Sequence, residues 1–445
     1  MGDSMAGQTR EPDACEEPTL PTCVAPDCVT AEILTRAHER WQNGSLRGAI
    51  ALAEEAAQAG CDRCGRSCSV YADLLLILFL VGIREVATAA DLQRRLLASP
   101  QVQDDPELIA STTLVGAKVA LAAGDYPEAG ALAERGLKLA AGTGQSAWTP
   151  VGNLVLATTT LRGGDISAAL HYSAKLEEDA VFAREMFPIG QSAWAVVQLS
   201  EAGKGRDKAA ILARELLESE TFTRRLLVAE PAAVPWLVRL LLRAGERGPA
   251  GAGVRFARRL AAENPDVDSV GAAALHATAL LEGDLDKLRR AAELHTDPWA
   301  RASVLEDIGV RLCEGRAESP EAAGYFEDAM RAYTCMGSLR DSSRVMSRLR
   351  GINASPRSRE RCRPRSGIRG LTDTEYAVAK LVSQGLTNGE TAERMFLSRH
   401  TVAFHLRKVF QKVGVKSRLE LAVIWNELDS GPDADIAPVP HYSRN

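Results

Sequence analysis

Few side chains in this chain are spaced to do chemistry. Cys61-x2-Cys64-x3-Cys68, with Cys23-x4-Cys28 upstream, has ligand-like spacing. Thiolates two or three residues apart can reach one Zn2+ or part of an iron–sulfur cluster. No second C-x2-C motif completes the set, and His38, the nearest histidine, falls on a predicted helix. Ordinary buried cysteines account for the same residues. The expectation is therefore no metal and no cofactor, with Cys61, Cys64 and Cys68 the candidates for a metal or redox sensor. Catalytic motifs are missing: no G-x4-G-K-[ST] phosphate loop, no glycine-rich dinucleotide fingerprint, no H-E-x-x-H and no G-x-S-x-G. The seven histidines are scattered. An enzyme is not expected.

The remaining chemistry is electrostatic. The formal net charge of −5 hides an asymmetry: residues 357–428 hold fourteen Lys/Arg against seven Asp/Glu, a net of +7, which leaves −12 on the rest. A basic C-terminal segment on an acidic body is the pattern of a chain in which one small part meets a polyanion. Its first stretch, Arg357-Ser-Arg-Glu-Arg-Cys-Arg-Pro-Arg365 and on to Arg369, has too few apolar residues to bury. Residues 351–369 therefore read as a basic flexible linker.

Size and composition set the frame for these residues. A chain of 445 residues suggests several domains, and 46% hydrophobic with 25% charged residues is the balance of a soluble globular protein. The longest apolar run, Leu74 to Ile83, is half of the roughly 20 residues a bilayer crossing needs. The acidic, Pro- and Cys-containing start lacks the basic and apolar regions of a secretory signal. A cytoplasmic protein without membrane contact is expected. An odd count of nine cysteines argues against a disulfide framework.

Residues 30–350 are rich in Ala, Leu, Glu and Arg at helical spacing. Ile33, Ala37 and Trp41 mark one face before Asn43-Gly44; Ala49, Leu52, Ala53 and Ala56 mark the next. The phrase returns as Gly124-Asp-Tyr126, Gly164-Asp-Ile166 and Gly283-Asp-Leu285, with weaker copies near Gly82, Gly205 and Gly245. Gly supplies the left-handed backbone that ends a helix, and Asp can cap the next one. An interval of about 40 residues holds two helices and two turns, so seven or eight pairs would stack into a solenoid. The repeats resemble tetratricopeptide repeats of a longer period. Solenoids present concave faces that bind proteins, peptides or ligands. Trp148, Trp194, Trp236 and Trp299 either line such a groove or fill the core.

Residues 371–428 read as four short helices. Thr372-x-x-Glu375, Thr387-x-x-Glu390 and Ser417-x-x-Glu420 are capping boxes, in which hydroxyl and carboxylate satisfy the open N–H groups of a helix start; Ser398 can cap the remaining helix. The helices are placed at 373–384, 388–396, 400–413 and 417–428. In the third, Val402, Leu406, Val409 and Val413 form a buried stripe, and Ala403, Arg407, Lys408 and Gln411 lie opposite. A basic helix after a short turn suits the DNA major groove.

Leu371-Thr-x-x-Glu375, Gly385-Leu-Thr-Asn388, Glu390-x-Ala392, Leu397-Ser398, Thr401-Val402-x-x-His405 and Lys412-Val-Gly-Val415-x-Ser-Arg418 together resemble the LuxR-type helix-turn-helix. The resemblance implies a bacterial transcription regulator whose third helix reads operator DNA and whose fourth pairs two copies on a two-fold site. It implies base contacts from Ala403, Phe404 and Arg407, and phosphate contacts from Thr387, Asn388, Ser398, Arg399 and Thr401. Lys408 and Lys412 join the phosphate set on charge. Phe404 suits a thymine methyl or the neighbouring helix. Ala403 stands where the family usually carries Lys, Ala377 where it carries an acid, Ala379 where Leu is frequent and Gly389 where Lys is. The stretch from Glu321-Ala-Ala-x-Tyr-Phe-Glu-x-Ala329 through Arg340-Asp-x-x-Arg344-Val to Leu349 resembles the last repeat of the large ATP-binding LuxR regulators. Their ATPase domain, and a receiver domain, have no counterpart in this sequence.

The expected protein is all-α: a disordered segment 1–29, a tetratricopeptide-like solenoid over 30–350, the linker, a small four-helix LuxR-type domain over 370–428 and a disordered tail 429–445. Its expected partners are double-stranded DNA, RNA polymerase, and an unknown ligand or protein on the repeats, with a homodimer on DNA. The competing readings are a helical-repeat interaction scaffold whose C-terminal domain only dimerises, and a cysteine-based metal or redox-sensing regulator.

Overall fold

The structure, a computed structural model, describes residues 28–59, 67–143, 147–182, 189–314, 320–352, 371, 373–394, 399–415, 417–418, 420–422 and 425. The segments 1–27 and 429–445 and most of the 351–369 linker lie outside these. The chain divides into two compact units, Met1–Ser355 and Pro356–Asn445. All regular elements among the described residues are α-helices.

The first unit is a run of helical hairpins. It begins with α1 (Val29–Gln42) and α2 (Leu46–Ala59), then α3 (Ser67–Gly82), α4 (Val86–Leu97) and the short α5 (Pro100–Gln103). Next come α6 (Pro106–Ala122), α7 (Tyr126–Thr143), α8 (Thr149–Gly163), α9 (Ile166–Phe182), α10 (Ile189–Lys204), α11 (Arg206–Glu218) and α12 (Glu220–Ala229). The run closes with α13 (Ala233–Arg243), α14 (Arg247–Glu263), α15 (Asp268–Glu282), α16 (Leu285–Leu294), α17 (Pro298–Cys313), α18 (Pro320–Met336) and α19 (Leu339–Gly351).

The turns explain the period. Left-handed residues recur at Gly44, Arg84, Gly124, Gly164, Gly205, Gly245 and Gly283, in steps of 38 to 41 residues. At Gly124 the amide bonds back to Leu121 while Asp125 N–H reaches the Ala120 carbonyl. This paired closure of the last helical turn needs a positive φ at its pivot. Asp125, Asp165 and Asp284 then accept from the amides of Glu128, Ala168 and Lys287 at 3.1, 2.9 and 3.0 Å, opening the following helix as the Gly-Asp phrase predicts.

The second turn departs from the expectation. Gly82 is not its pivot; Arg84 is, at φ 69°. Gly82 is small for another reason: a Cβ there would sit 2.6 Å from the Trp41 ring.

Two kinds of helix alternate. α6, α8 and α15, which precede such turns, and α17 are buried around most of their circumference, whereas α4 and α16 bury only a few residues on one side. A helix apolar on all sides belongs inside and a striped one outside, so the hairpins stack as an inner and an outer layer. The stack also curves back on itself: Asn264 donates to the Gly44 carbonyl at 2.8 Å and accepts from Leu46 N–H at 3.1 Å. Among the described residues the inner layer is packed with buried side chains. Trp148, Trp194 and Trp299 are buried there and Trp236 partly so; Trp194 meets Trp236 and Trp299 edge-on at 6.2 and 5.9 Å.

The inner layer also holds charge. Arg84 joins Glu230 and Asp297, the latter at 2.6 Å. Arg162 stacks 3.8 Å above Trp299 and pairs with Asp341 at 3.2 Å. Arg344 grips both Glu306 oxygens, at 2.9 and 2.7 Å. Asp307 meets Arg239 at 3.2 Å and His276 at 3.0 Å. Buried charges persist only when paired and hydrogen-bonded, and here the partners come from helices far apart in sequence.

Candidate nucleic-acid interface

In the second unit α20 (Asp373–Ser383), α21 (Asn388–Arg394) and α22 (Arg399–Val413) surround a small core. Val378, Ala379 and Val382 of α20 meet Ala392 of α21 and the Val402, Leu406, Val409 stripe of α22. Residues 418, 420–422 and 425 are helical, and Leu421 and Trp425 complete the core. Gly385 and Gly414 take φ of 91° and 78° and end α20 and α22, while α21 and α22 follow one another within a few residues.

The caps behave as their spacing predicts. Glu390 accepts from the Thr387 amide and hydroxyl, both at 2.7 Å, and Thr387 Oγ1 accepts from Glu390 N–H at 3.2 Å. These bonds hold the Glu390 carboxyl below the usual carboxylate range. Ser417 caps the next helix by accepting from Glu420 N–H at 3.2 Å. Thr372 and Ser398 lie outside the described residues.

With one stripe of α22 in the core, the opposite side faces outward. Arg407, Lys408, Gln411 and Lys412 are exposed and Ala403 is half-buried. The backbone of Arg399, Thr401 and Phe404 is helical; their side chains are not among those described. Thr387 is exposed at the start of α21. Burial, with the Lys408 charge, keeps the half-buried His405 below the ordinary imidazole value.

Two pairings escaped the sequence reading. Lys412 Nζ pairs with Glu375 at 2.5 Å, a carboxylate that is almost fully buried on α20. Asn388 Oδ1 accepts from Arg418 at 2.9 Å, which ties α21 to the start of the fourth helix. Both Lys412 and Asn388 thus also hold the domain together. The only sequence signal for either was the presence of opposite charges or complementary polar groups, without register.

The family described as "Bacterial regulatory proteins, luxR family" matches residues 369–425. These residues are a luxR-family helix-turn-helix domain. Over 62 residues the chain is 48% identical to Mycobacterium tuberculosis Rv0890c, provisionally named an HTH-type transcriptional regulator; the match covers 14% of this chain and 7% of that protein. It is 37% identical over 97 residues to the M. tuberculosis DNA-binding transcriptional activator DevR/DosR, covering 22% of this chain and 41% of that one. It is 38% identical over 56 residues to the Escherichia coli nitrate/nitrite response regulator NarL, covering 13% and 26%. The chain thus spans less than half the length of each of these relatives.

Beyond the luxR-type domain, the helical unit has one recess of note. Lys118, Arg162, Gln191, Trp194, Glu230 and Asp297 help line a small cavity of about 40 Å3. Burial holds Lys118 below the ordinary lysine value, and its Nζ lies 3.7 Å from the Glu230 carboxylate. The buried Trp194 indole N–H has no acceptor among the described residues. Of the cysteine candidates, Cys61 and Cys64 lie outside the described residues, and Cys68 is buried at the start of α3. Among the described residues no three His, Cys, Asp or Glu side chains converge as a metal site, and no helix is long and apolar enough to cross a membrane.

Proposed function

We propose that this protein is a non-enzymatic transcription regulator that binds operator DNA through its luxR-type domain. The observation that carries the reading is the outward face of α22: Arg407, Lys408 and Gln411 project from a helix whose other side is locked into the domain core. A helix anchored in this way, with cations on its free side, fits the major groove. In this reading α22 lies against base edges, with Ala403, Phe404 and Arg407 toward the bases. Thr387, Asn388, Ser398, Arg399, Thr401, Lys408 and Lys412 lie toward the phosphates. Two copies pair through the fourth helix on a two-fold site, and the bound regulator engages RNA polymerase.

The helical unit is proposed to sense a ligand or dock a partner and to bias DNA binding. The polar lining of the recess around Lys118 and Trp194 supports a small polar ligand.

The test is binding of the full chain to promoter duplexes at increasing salt. If each domain neutralises about six phosphates, log K should fall against log salt with a slope near −5. A chain that ignores duplex DNA at low salt while its helices are intact would sink the reading in favour of an interaction scaffold.

A further inference from the structure

The recess of the helical unit holds more hydrogen-bond donors than its own acceptors take up. Its carboxylates are already committed. Asp297 accepts from the Ala300 amide at 2.8 Å on one oxygen and from Arg84 at 2.6 Å on the other. Glu230 accepts from Arg84 on one oxygen and from Gln191 Nε2, at 3.2 Å, on the other. Two buried donors are left over. The Lys118 ammonium, on a residue 7% exposed, stands 3.7 Å from Glu230, beyond ordinary hydrogen-bond length. The Trp194 indole N–H, on a residue 5% exposed, finds no acceptor among the described residues. Buried donors left open cost free energy, so the recess calls for an acceptor that the described residues do not supply.

Charge and size narrow that acceptor. Arg84, Lys118 and Arg162 line the recess together with Glu230 and Asp297, three cations against two carboxylates. Asp341, the partner of Arg162, is shared with Arg344. Burial and the nearby Arg84 hold Lys118 below the ordinary lysine value against the pull of Glu230, and an anion at its Nζ offsets that burial. A water needs about 10–15 Å3 of such space, so a cavity of about 40 Å3 takes roughly three or four non-hydrogen atoms. Leu121, Ala122, Leu154 and Ala195 share the lining and suit a methyl group better than a further oxygen.

We propose that this recess binds a short-chain carboxylate of the size of acetate. Its oxygens accept from the Lys118 ammonium and the Trp194 indole N–H, and its methyl lies against the apolar part of the lining. The bound acid thereby bridges α6, which carries Lys118, and α10, which carries Trp194. The proposal rests on the reading of the helical unit as a sensor of a small polar ligand and gives that ligand its chemistry.

The full chain, in a carboxylate-free buffer at fixed ionic strength, is titrated with sodium acetate, sodium nitrate and acetamide by calorimetry, while its six tryptophan indole N–H signals are followed by NMR. Acetate should bind once per chain and shift the Trp194 signal, assigned from Trp194→Phe. Nitrate, which lacks the methyl, should bind several-fold more weakly, and acetamide, which lacks the charge, about tenfold more weakly or worse. Lys118→Met should weaken acetate by about tenfold or more, whereas Lys208→Met, at an exposed position of α11, should leave it unchanged. The wild-type series stands even if a variant fails to fold. Wild-type protein that binds acetate no better than acetamide or nitrate overturns the proposal, as does Lys118→Met that binds acetate as wild type does. Acetamide bound in preference to acetate overturns the carboxylate and leaves a small polar ligand in the recess. Saturable acetate binding that leaves operator affinity unchanged supports the site and overturns only its sensing role.

Discussion

At the scale of single residues, Arg407 and Lys408 are neighbours on one exposed helix face with different expected consequences. A guanidinium can hold a guanine through two hydrogen bonds, whereas a lysine ammonium beside the backbone acts as a point charge. Arg407→Ala is expected to relax preference at one operator position at a cost of about 1–3 kcal/mol. Lys408→Ala should weaken all sequences alike and make the salt slope shallower by about one. Fluorescence anisotropy on single-base operator variants separates the two, and a uniform loss for Arg407→Ala would assign Arg407 to a phosphate. Arg84 carries a different pair of demands. It holds a left-handed backbone and bridges two buried carboxylates. Truncating it leaves Glu230 and Asp297 without their main cation, so Arg84→Ala should cost about 3–5 kcal/mol. Arg84→Gly should be less damaging by about 1 kcal/mol, because glycine adopts a positive φ without steric penalty. Urea unfolding of the two variants measures the difference; equal midpoints would remove the backbone from the account.

At the scale of elements, the capping box at the start of α21 joins stability to positioning. Thr387→Ala removes the hydroxyl that receives Glu390 N–H and should cost about 1 kcal/mol of domain stability. The Glu390 carboxyl titrates below its unfolded value, so the stability it adds is present above that value and fades as pH falls through the folded one. A melt of Glu390→Gln, less stable than wild type at pH 7 and converging on it in acid, checks the sign. These caps, the Gly-Asp turns and the apolar stripe of α22 were legible in the sequence because each is a local event within four residues. The helix bounds followed closely: the placements 373–384 and 400–413 compare with Asp373–Ser383 and Arg399–Val413. What local patterns do not contain is the partner across the fold. Nothing near Arg84 announces Glu230, 146 residues away. A glycine count also misplaced the second turn, since Arg84 accepts the strained backbone when its guanidinium gains two buried partners.

At the scale of the molecule, each unit has its own core, and among the described residues the extensive set of buried ionised groups lies in the helical unit. Closing the stack brings inner helices from distant hairpins together, so polar side chains of one must be matched by another. The two imidazoles of this interior make the closure sensitive to acid. His276 lies between His295, at 3.2 Å, and Asp307, at 3.0 Å. Burial holds His276 below the ordinary imidazole value, although Asp307 pulls the other way, and burial with His276 beside it takes His295 down to about 3. An unfolded chain takes up these protons near pH 6.5. Between that value and the folded ones the unfolded state therefore binds more protons, and the stability from these groups, complete above about pH 6.5, drains as pH falls. Asp73, pushed up to about 6 by burial, opposes the trend by one proton. The paired carboxylates Asp297, Glu306 and Asp307, all held below their usual range, join the loss only in stronger acid. A single substitution isolates the imidazole term. His295→Gln keeps an N–H donor for His276 but removes one titrating group. The stability gap between wild type and this variant should then shift by about 1.4 kcal/mol per pH unit, in favour of the variant, from pH 6 to 4.5. Urea midpoints measured across that range decide it. A gap that stays constant would mean that His295 takes up its proton in the folded chain as readily as in the unfolded one, and that the interior of the stack admits water at this point.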